Sequence, residues 1–188
     1  MKKRIAFAMI LALFAVLLLT TCSNSAQTSP SNSPESSTTS GTTDAVSSAS
    51  VKESSDPEKL IAGLSDTGYW IFAVLSDVTL RDELVISGIF HNRNDESDRV
   101  YRKFSLYSQD ESYTVTAEYT LTVPKITVLS PNLRIQNGTV KGDIYVDAEG
   151  LELFNSTLDG NLTFKTQTQM DSAELGTATI TGTISVEE

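Results

Sequence analysis

Few side chains in this chain of 188 residues have the type and spacing for chemistry, and those that do point to anchoring and binding before catalysis. His91 is the single histidine, which excludes histidine metal cages and paired acid–base histidines. Its neighbours Asn92, Arg93 and Asn94 read as an exposed loop. There is no G-x-S-x-G elbow to activate a serine, so acyl transfer is not expected. Asp95, Glu96 and Asp98 offer the oxygen ligands that calcium takes. They lack the ordered alternation and the glycine of a dedicated calcium loop, and read as a solvated acidic loop. Arg99, Arg102, Lys103, Arg134 and Lys141 are the bases that could face an acidic polysaccharide. Tyr101, Tyr107, Tyr113 and Tyr119 recur every six residues, a spacing that crosses turns and suits amphipathic residues at a sheet edge better than one stacking platform. No catalytic residue, metal site or cofactor is expected. The remaining reactive group is Cys22, the only cysteine, which has no partner for an intramolecular disulfide.

The elements that must position these groups are written in a repeat. Leu133, Ile135, Thr139, Val140, Gly142, Ile144 and Val146 match Leu151, Leu153, Thr157, Leu158, Gly160, Leu162 and Phe164 at a constant offset of 18. A third copy, Ala173, Leu175, Thr179, Ile180, Gly182, Ile184 and Val186, follows at a constant 22. Apolar residues come in pairs two apart, the period of a strand, and Asn and Gly fall between the pairs as turn residues. One such unit cannot bury its apolar face and must stack on a neighbour. The fold class expected is therefore all-β, a parallel β-helix or solenoid. Val140, Leu158 and Ile180, with Ile144, Leu162 and Ile184, form its stacked core, and the four extra residues of the last interval, within Lys165 to Ser172, bulge out as a loop. The alternatives are a left-handed hexapeptide coil, whose six-residue aliphatic track is broken here, and an antiparallel sandwich.

Upstream, Ile86, Gly88 and Phe90 match Val140, Gly142 and Ile144 at 54, and Val78 with Leu80 matches Leu133 with Ile135 at 55. Phe104 with Leu106, Val115 with Ala117, and Ile126 with Val128 add further pairs, which makes five or six rungs at about 4.8 Å each. Asp56-Pro57-Glu58 starts a short helix with Leu60, Ile61 and Leu64 on its apolar face. With Trp70 that helix caps the first rung. Asn137 and Asn155 are equivalent turn positions suited to an amide ladder, and Lys141 and Asp159 are placed for a cross-rung ion pair worth at most about 1 kcal/mol.

The segment Gly138-Thr139-Val140-Lys141-Gly142-Asp143-Ile144 resembles the repeats of bactofilins, polymer-forming bacterial β-helix proteins, over about 55 residues from Leu133 to Val186. The resemblance implies a right-handed triangular coil without a catalytic site, able to polymerise end to end.

Lys2, Lys3 and Arg4 precede the apolar run Ile5 to Leu19, the pattern of an export signal too short for an ordinary membrane span. Leu19-Thr20-Thr21-Cys22 resembles the lipobox of bacterial lipoproteins, with Thr21 where that family usually carries Gly, Ala or Ser. The resemblance implies lipidation at Cys22 and an extracytoplasmic, membrane-anchored bacterial lipoprotein. The expected organisation is a signal peptide at 1–21, a disordered Ser/Thr-rich tether at 22–55 reaching about 30 Å on average, and a β-helix domain at 56–188. Loss of residues 1–21 removes three positive charges and moves the net charge from −10 to about −13, which argues against nucleic acid. The expected partners are the membrane through the lipid and either a second copy of the chain or cell-wall polysaccharide. The expected role is non-enzymatic, structural or interacting, with a polysaccharide-binding or polysaccharide-cleaving surface protein as the alternative.

Overall fold

The computed structural model describes residues 51–187. The signal segment, Cys22 and the tether up to residue 50 lie outside the described residues.

Strand β1 (Val51–Glu53) and helix α1 (Pro57–Gly63) come first, followed by β2 (Ile71–Ala73), β3 (Val78–Thr79) and β4 (Leu84–Ile86). Next are β5 (Arg102–Ser105), the hairpin β6 (Tyr107–Gln109) and β7 (Val115–Glu118), and the long strand β8 (Thr120–Val128). Then come β9 (Leu133–Gln136), β10 (Thr139–Val146), β11 (Glu152–Phe154), β12 (Thr157–Asp159) and β13 (Leu162–Phe164). Helix α2 (Gln167–Asp171) leads to β14 (Thr179–Ile180) and β15 (Ile184–Val186). Two open parallel sheets result. One has the order β1-β2-β5-β9-β11. In the other, β8 and β10 run side by side, β3 and β4 lie on β8, β12 and β13 lie on β10, and β14 and β15 lie outermost. The hairpin β6–β7 is antiparallel.

The repeat sets the register. Val140 pairs with Leu158, Ile144 with Leu162 and Val146 with Phe164, each 18 residues on. Leu158 then pairs with Ile180 and Leu162 with Ile184, each 22 on. Parallel pairing of these windows removes the antiparallel sandwich. The four extra residues form helix α2 where a loop was expected, with Thr166 and Gln169 exchanging capping-box bonds, and the register on either side is undisturbed. At the bend between strands the backbones approach closely: a Cβ on Gly160 would lie 2.1 Å from the carbonyl oxygen of Gly142. Only glycine fits there.

Along β9 the burial alternates as the apolar pairs require: Leu133 and Ile135 are buried, Arg134 between them and Gln136 after them partly exposed. The inward residues of all the described parallel layers merge into one core of Leu, Ile, Val and Phe. Each large one stabilises by about 1.5–3 kcal/mol relative to exposure. The core thins at its last layer. Val140, Ile144, Leu158 and Leu162 are buried, whereas Ile180 is half-buried and Ile184 is 43% exposed, because among the described residues no strand pairs on the outer side of β14 and β15.

Upstream the expected register is corrected. Val78 stands over Leu121 and Val140, not Leu133, and Ile86 stands over Val128 and Val146, not Val140. Segment 87–101 and the hairpin are inserted at different corners, so the spacing between layers varies and a constant offset fails. Val115, with Ala117 in β7, belongs to the hairpin and is 42% exposed, outside the core. Ahead of Asp56, within the span expected as tether, β1 pairs in parallel with β2. Asp56 does cap α1, accepting from the Lys59 N–H at 3.0 Å with Pro57 in the first turn. Leu60 and Leu64 are buried, but Ile61 is 46% exposed.

Arg102 is the least expected core residue. It is the strand partner of Leu133 and is fully buried. Its guanidinium donates to the carbonyl oxygens of Tyr69 at 3.0 Å, Gly63 at 3.0 Å, Ser65 at 2.9 Å and Ser87. Phe90 lies over it at 4.1 Å. Gly63 and Ser65 close the carboxyl end of α1, where the helix dipole is negative, so a cation is favoured there. Burial pulls the Arg102 pKa down to about 10, which leaves it charged at neutral pH.

Leu158→Asp should lower the unfolding free energy by more than about 4 kcal/mol, because it buries an unpaired carboxylate, while Ile184→Asp at the exposed edge should cost about 1 kcal/mol or less. Urea unfolding followed by circular dichroism checks both, and an unchanged midpoint for Leu158→Asp contradicts the stacked core. Arg102→Ala should cost about 3–5 kcal/mol. Arg102→Leu should recover only part of that loss, since it restores an apolar shape but removes every donor that Arg102 supplies to the four carbonyls, of which Gly63 and Ser65 keep only a backbone partner; the same unfolding curves decide.

Candidate functional site

The side chains that alternate outward from the five-stranded sheet fall into columns, because each strand pairs in register with the next. One column reads Ile71, Lys103, Arg134 and Glu152, with Glu174 bridged to Glu152. The next reads Glu53, Ala73, Ser105, Gln136 and Phe154. Tyr101, one residue before β5, flanks the first column, and Tyr107, at the start of β6, flanks the second.

Cations rest on rings across this face. The Arg99 guanidinium lies 4.8 Å from the Tyr101 ring centre, Lys103 Nζ 5.0 Å from Tyr107 and the Arg134 guanidinium 4.7 Å from Phe154. Such contacts are worth about 0.5–1 kcal/mol where exposed. Trp70 packs on Tyr101 with ring centres 6.2 Å apart, and its buried indole N–H has no hydrogen-bond partner. Tyr107 Oη accepts from Lys103 Nζ at 2.9 Å and from Gln136 Nε2 at 3.2 Å. Arg134 Nε donates to Glu152 Oε2 at 2.5 Å. Burial pushes the Tyr101 phenol above its ordinary value, so it stays neutral.

Two clefts open on the face. The first, of about 430 Å³, has Ile71, Ala73 and Leu75 on one side and Lys103, Ser105 and Tyr107 on the other. The second, of about 320 Å³, lies among Arg99, Tyr101, Arg134, Glu152, Ser172 and Glu174. Gly150 is in its lining; a Cβ there would sit 2.2 Å from Asn132 Oδ1, and φ is 77°. Both volumes fall within the lower range of small-ligand sites, about 300–1,000 Å³.

The expected site residues divide. Arg99, Lys103 and Arg134 come together on this face, with Tyr101 and Tyr107 beside them. Arg102 turns inward, for the reason given above. Lys141 lies on the other sheet as the strand partner of Asp159, but the ion pairs across strands are Arg134–Glu152 at 2.5 Å, Lys165–Asp147 at 2.7 Å and Lys125–Glu83 at 3.0 Å. Tyr113 stands 80% exposed at the hairpin and Tyr119 Oη bonds Ser108 Oγ at 2.8 Å, so the four tyrosines share no surface. His91 Nδ1 meets the Asp98 carbonyl at 2.9 Å and closes the loop by a bridge to Val100. Asp95 and Asp98 spend their carboxylates inside that loop. The Ser97 hydroxyl and N–H hold Asp95 below the usual carboxylate range, and the Arg99 N–H with the Asn92 amide does the same for Asp98. Asn137 and Asn155 share a left-handed turn, with φ 56° and 48°, and Asn155 N–H donates to Thr177 Oγ1 at 3.0 Å. Among the described residues no hydrogen bond joins their amides.

Phe154, Glu152 and Glu174 are residues of this face that sequence reasoning missed, and Trp70, expected with the capping helix, packs here on Tyr101. Opposite charges at the repeat offset, Arg134 with Glu152 and Asp147 with Lys165, were the available signal. Together the rings, cations and carboxylates can hold a ligand that carries hydroxyl groups and a flat apolar side. In comparison with known proteins, the chain matches no family model, no curated protein and no solved structure.

Proposed function

We propose that the described residues form a right-handed, bactofilin-like parallel β-helix of five or six rungs, and that it serves a bacterial envelope lipoprotein as a non-enzymatic structural and interaction element. The observation that carries this reading is the parallel pairing of equivalent residues at two spacings, 18 and 22, since a chain that rises by one strand per pass keeps its register whatever the loop length. The apolar run Ile5 to Leu19 followed by Cys22 supports export and lipid anchoring, and the Ser/Thr-rich stretch supports a leash.

Two interaction modes follow, each from its own observation. The outer edges of β14 and β15, with half-buried Leu175, Ile180 and Val186 beside exposed Ile184, favour pairing with a second copy. The ring-lined face of the five-stranded sheet favours the second reading, a polysaccharide-binding surface.

Cells fed labelled palmitate should label the protein and retain it in the membrane fraction, and Cys22→Ser should abolish both; label on the Cys22→Ser protein removes the anchor assignment. Analytical ultracentrifugation of the full-length protein should show concentration-dependent association that Ile184→Asp weakens at least tenfold. Monomers alone at high concentration remove self-assembly.

A further inference from the structure

The two clefts are parts of one strip. Ile71 and Lys103, which line the first, and Arg134, Glu152 and Glu174, which line the second, are successive members of the same outward column. We infer that this strip binds an extended polysaccharide of uncharged, acetamido-bearing sugars laid across the strands at one sugar per strand. The inference deepens the polysaccharide reading above and rests on it.

The spacing matches: parallel strands lie about 4.8 Å apart, close to the rise of about 5 Å per sugar in an extended β-linked chain. Five layers from Ile71 to Glu174 thus offer a footing of about 19 Å, enough for four or five sugars. Tyr101 and Phe154 are the partly exposed rings along the strip, each held in place by a cation on one face before a ligand arrives, whereas Tyr107 is buried and acts only through its hydroxyl, which holds Lys103 and Gln136 in place. The donors Lys103 and Arg134 are neighbours in the column and the acceptors Glu152 and Glu174 follow them, so a polymer crossing the strands meets a basic half and then an acidic half, which suits hydroxyl and amide groups, both donor and acceptor at once.

Charge selects among glycans. Three basic groups on the strip face three acidic ones, and the whole chain carries −10, so an acidic polymer gains nothing locally and is repelled at a distance. Peptide addition to a strand edge is not the mode here, because both clefts open on the face of the sheet and not along an edge.

Trp70 is the only tryptophan and packs on Tyr101, so its fluorescence reports occupation of the second cleft. The full-length protein, titrated with chitohexaose, should show a saturable Trp70 change confirmed by calorimetry. Arg99→Ala with Arg134→Gln should weaken binding at least tenfold, as should Tyr101→Ala, while Lys141→Ala on the other sheet should leave it unchanged. Circular dichroism melting of each variant separates lost binding from lost fold, and the exposed Arg99→Ala alone carries the test where Tyr101→Ala does not fold. Undiminished binding in the Arg99→Ala, Arg134→Gln protein overturns the inference, and so does tighter binding to polygalacturonate than to chitohexaose. Failure to bind chitohexaose with retention on isolated cell-wall polysaccharide sinks the ligand class alone; failure of both sinks the polysaccharide reading beneath it.

Discussion

The constraint on which the rest of the structure depends is that the strands of each copy of the repeat pair in parallel with the same strands of the next, so that equivalent residues lie side by side and the backbone bonds run to their immediate neighbours. Parallel pairing places like over like. An apolar residue therefore rests on an apolar one along the repeats, and a threonine on a threonine: Val140, Leu158 and Ile180 form one line, and Thr139, Thr157 and Thr179 another. A single polar substitution in such a line injures two contacts, above and below. The bend tightens the requirement further, since the carbonyl of Gly142 occupies the space that a side chain at Gly160 would need.

Arg102 shows what happens where the line must end. The apolar column that runs through Ala173, Leu151 and Leu133 meets at Arg102 a residue whose aliphatic stem continues the packing and whose head leaves it. That head gathers four carbonyls from α1, from the turn behind it and from Ser87, and adds to the few backbone bonds that join these segments. One cation thus ties the N-terminal part of the structure to the repeats. The cost of burying it is offset by donors that no uncharged side chain could supply in that number.

The same register that builds the core assembles the outer face. Lys103, Arg134, Glu152 and Glu174 are far apart in sequence and adjacent in space only because their strands stack in order, and the clefts beside them reflect small residues, Ala73 and Gly150, at points in neighbouring columns. Core and outer face are one arrangement seen from opposite sides of the sheet.

By itself the sequence determined the pairing of the last three copies, because two constant offsets and an alternation of apolar residues admit only one parallel register. It also determined the start of α1, where Asp56 and Pro57 act locally. It did not determine the upstream register: inserted segments of unequal length at 87–101 and in the hairpin separate residues that pair, and loop length carries no periodic signal. Nor did it reveal that Arg102 points inward while Arg99, Lys103 and Arg134 face out together. Those assignments turn on which neighbour occupies each column, a property of the stacked strands and not of any stretch of chain read alone.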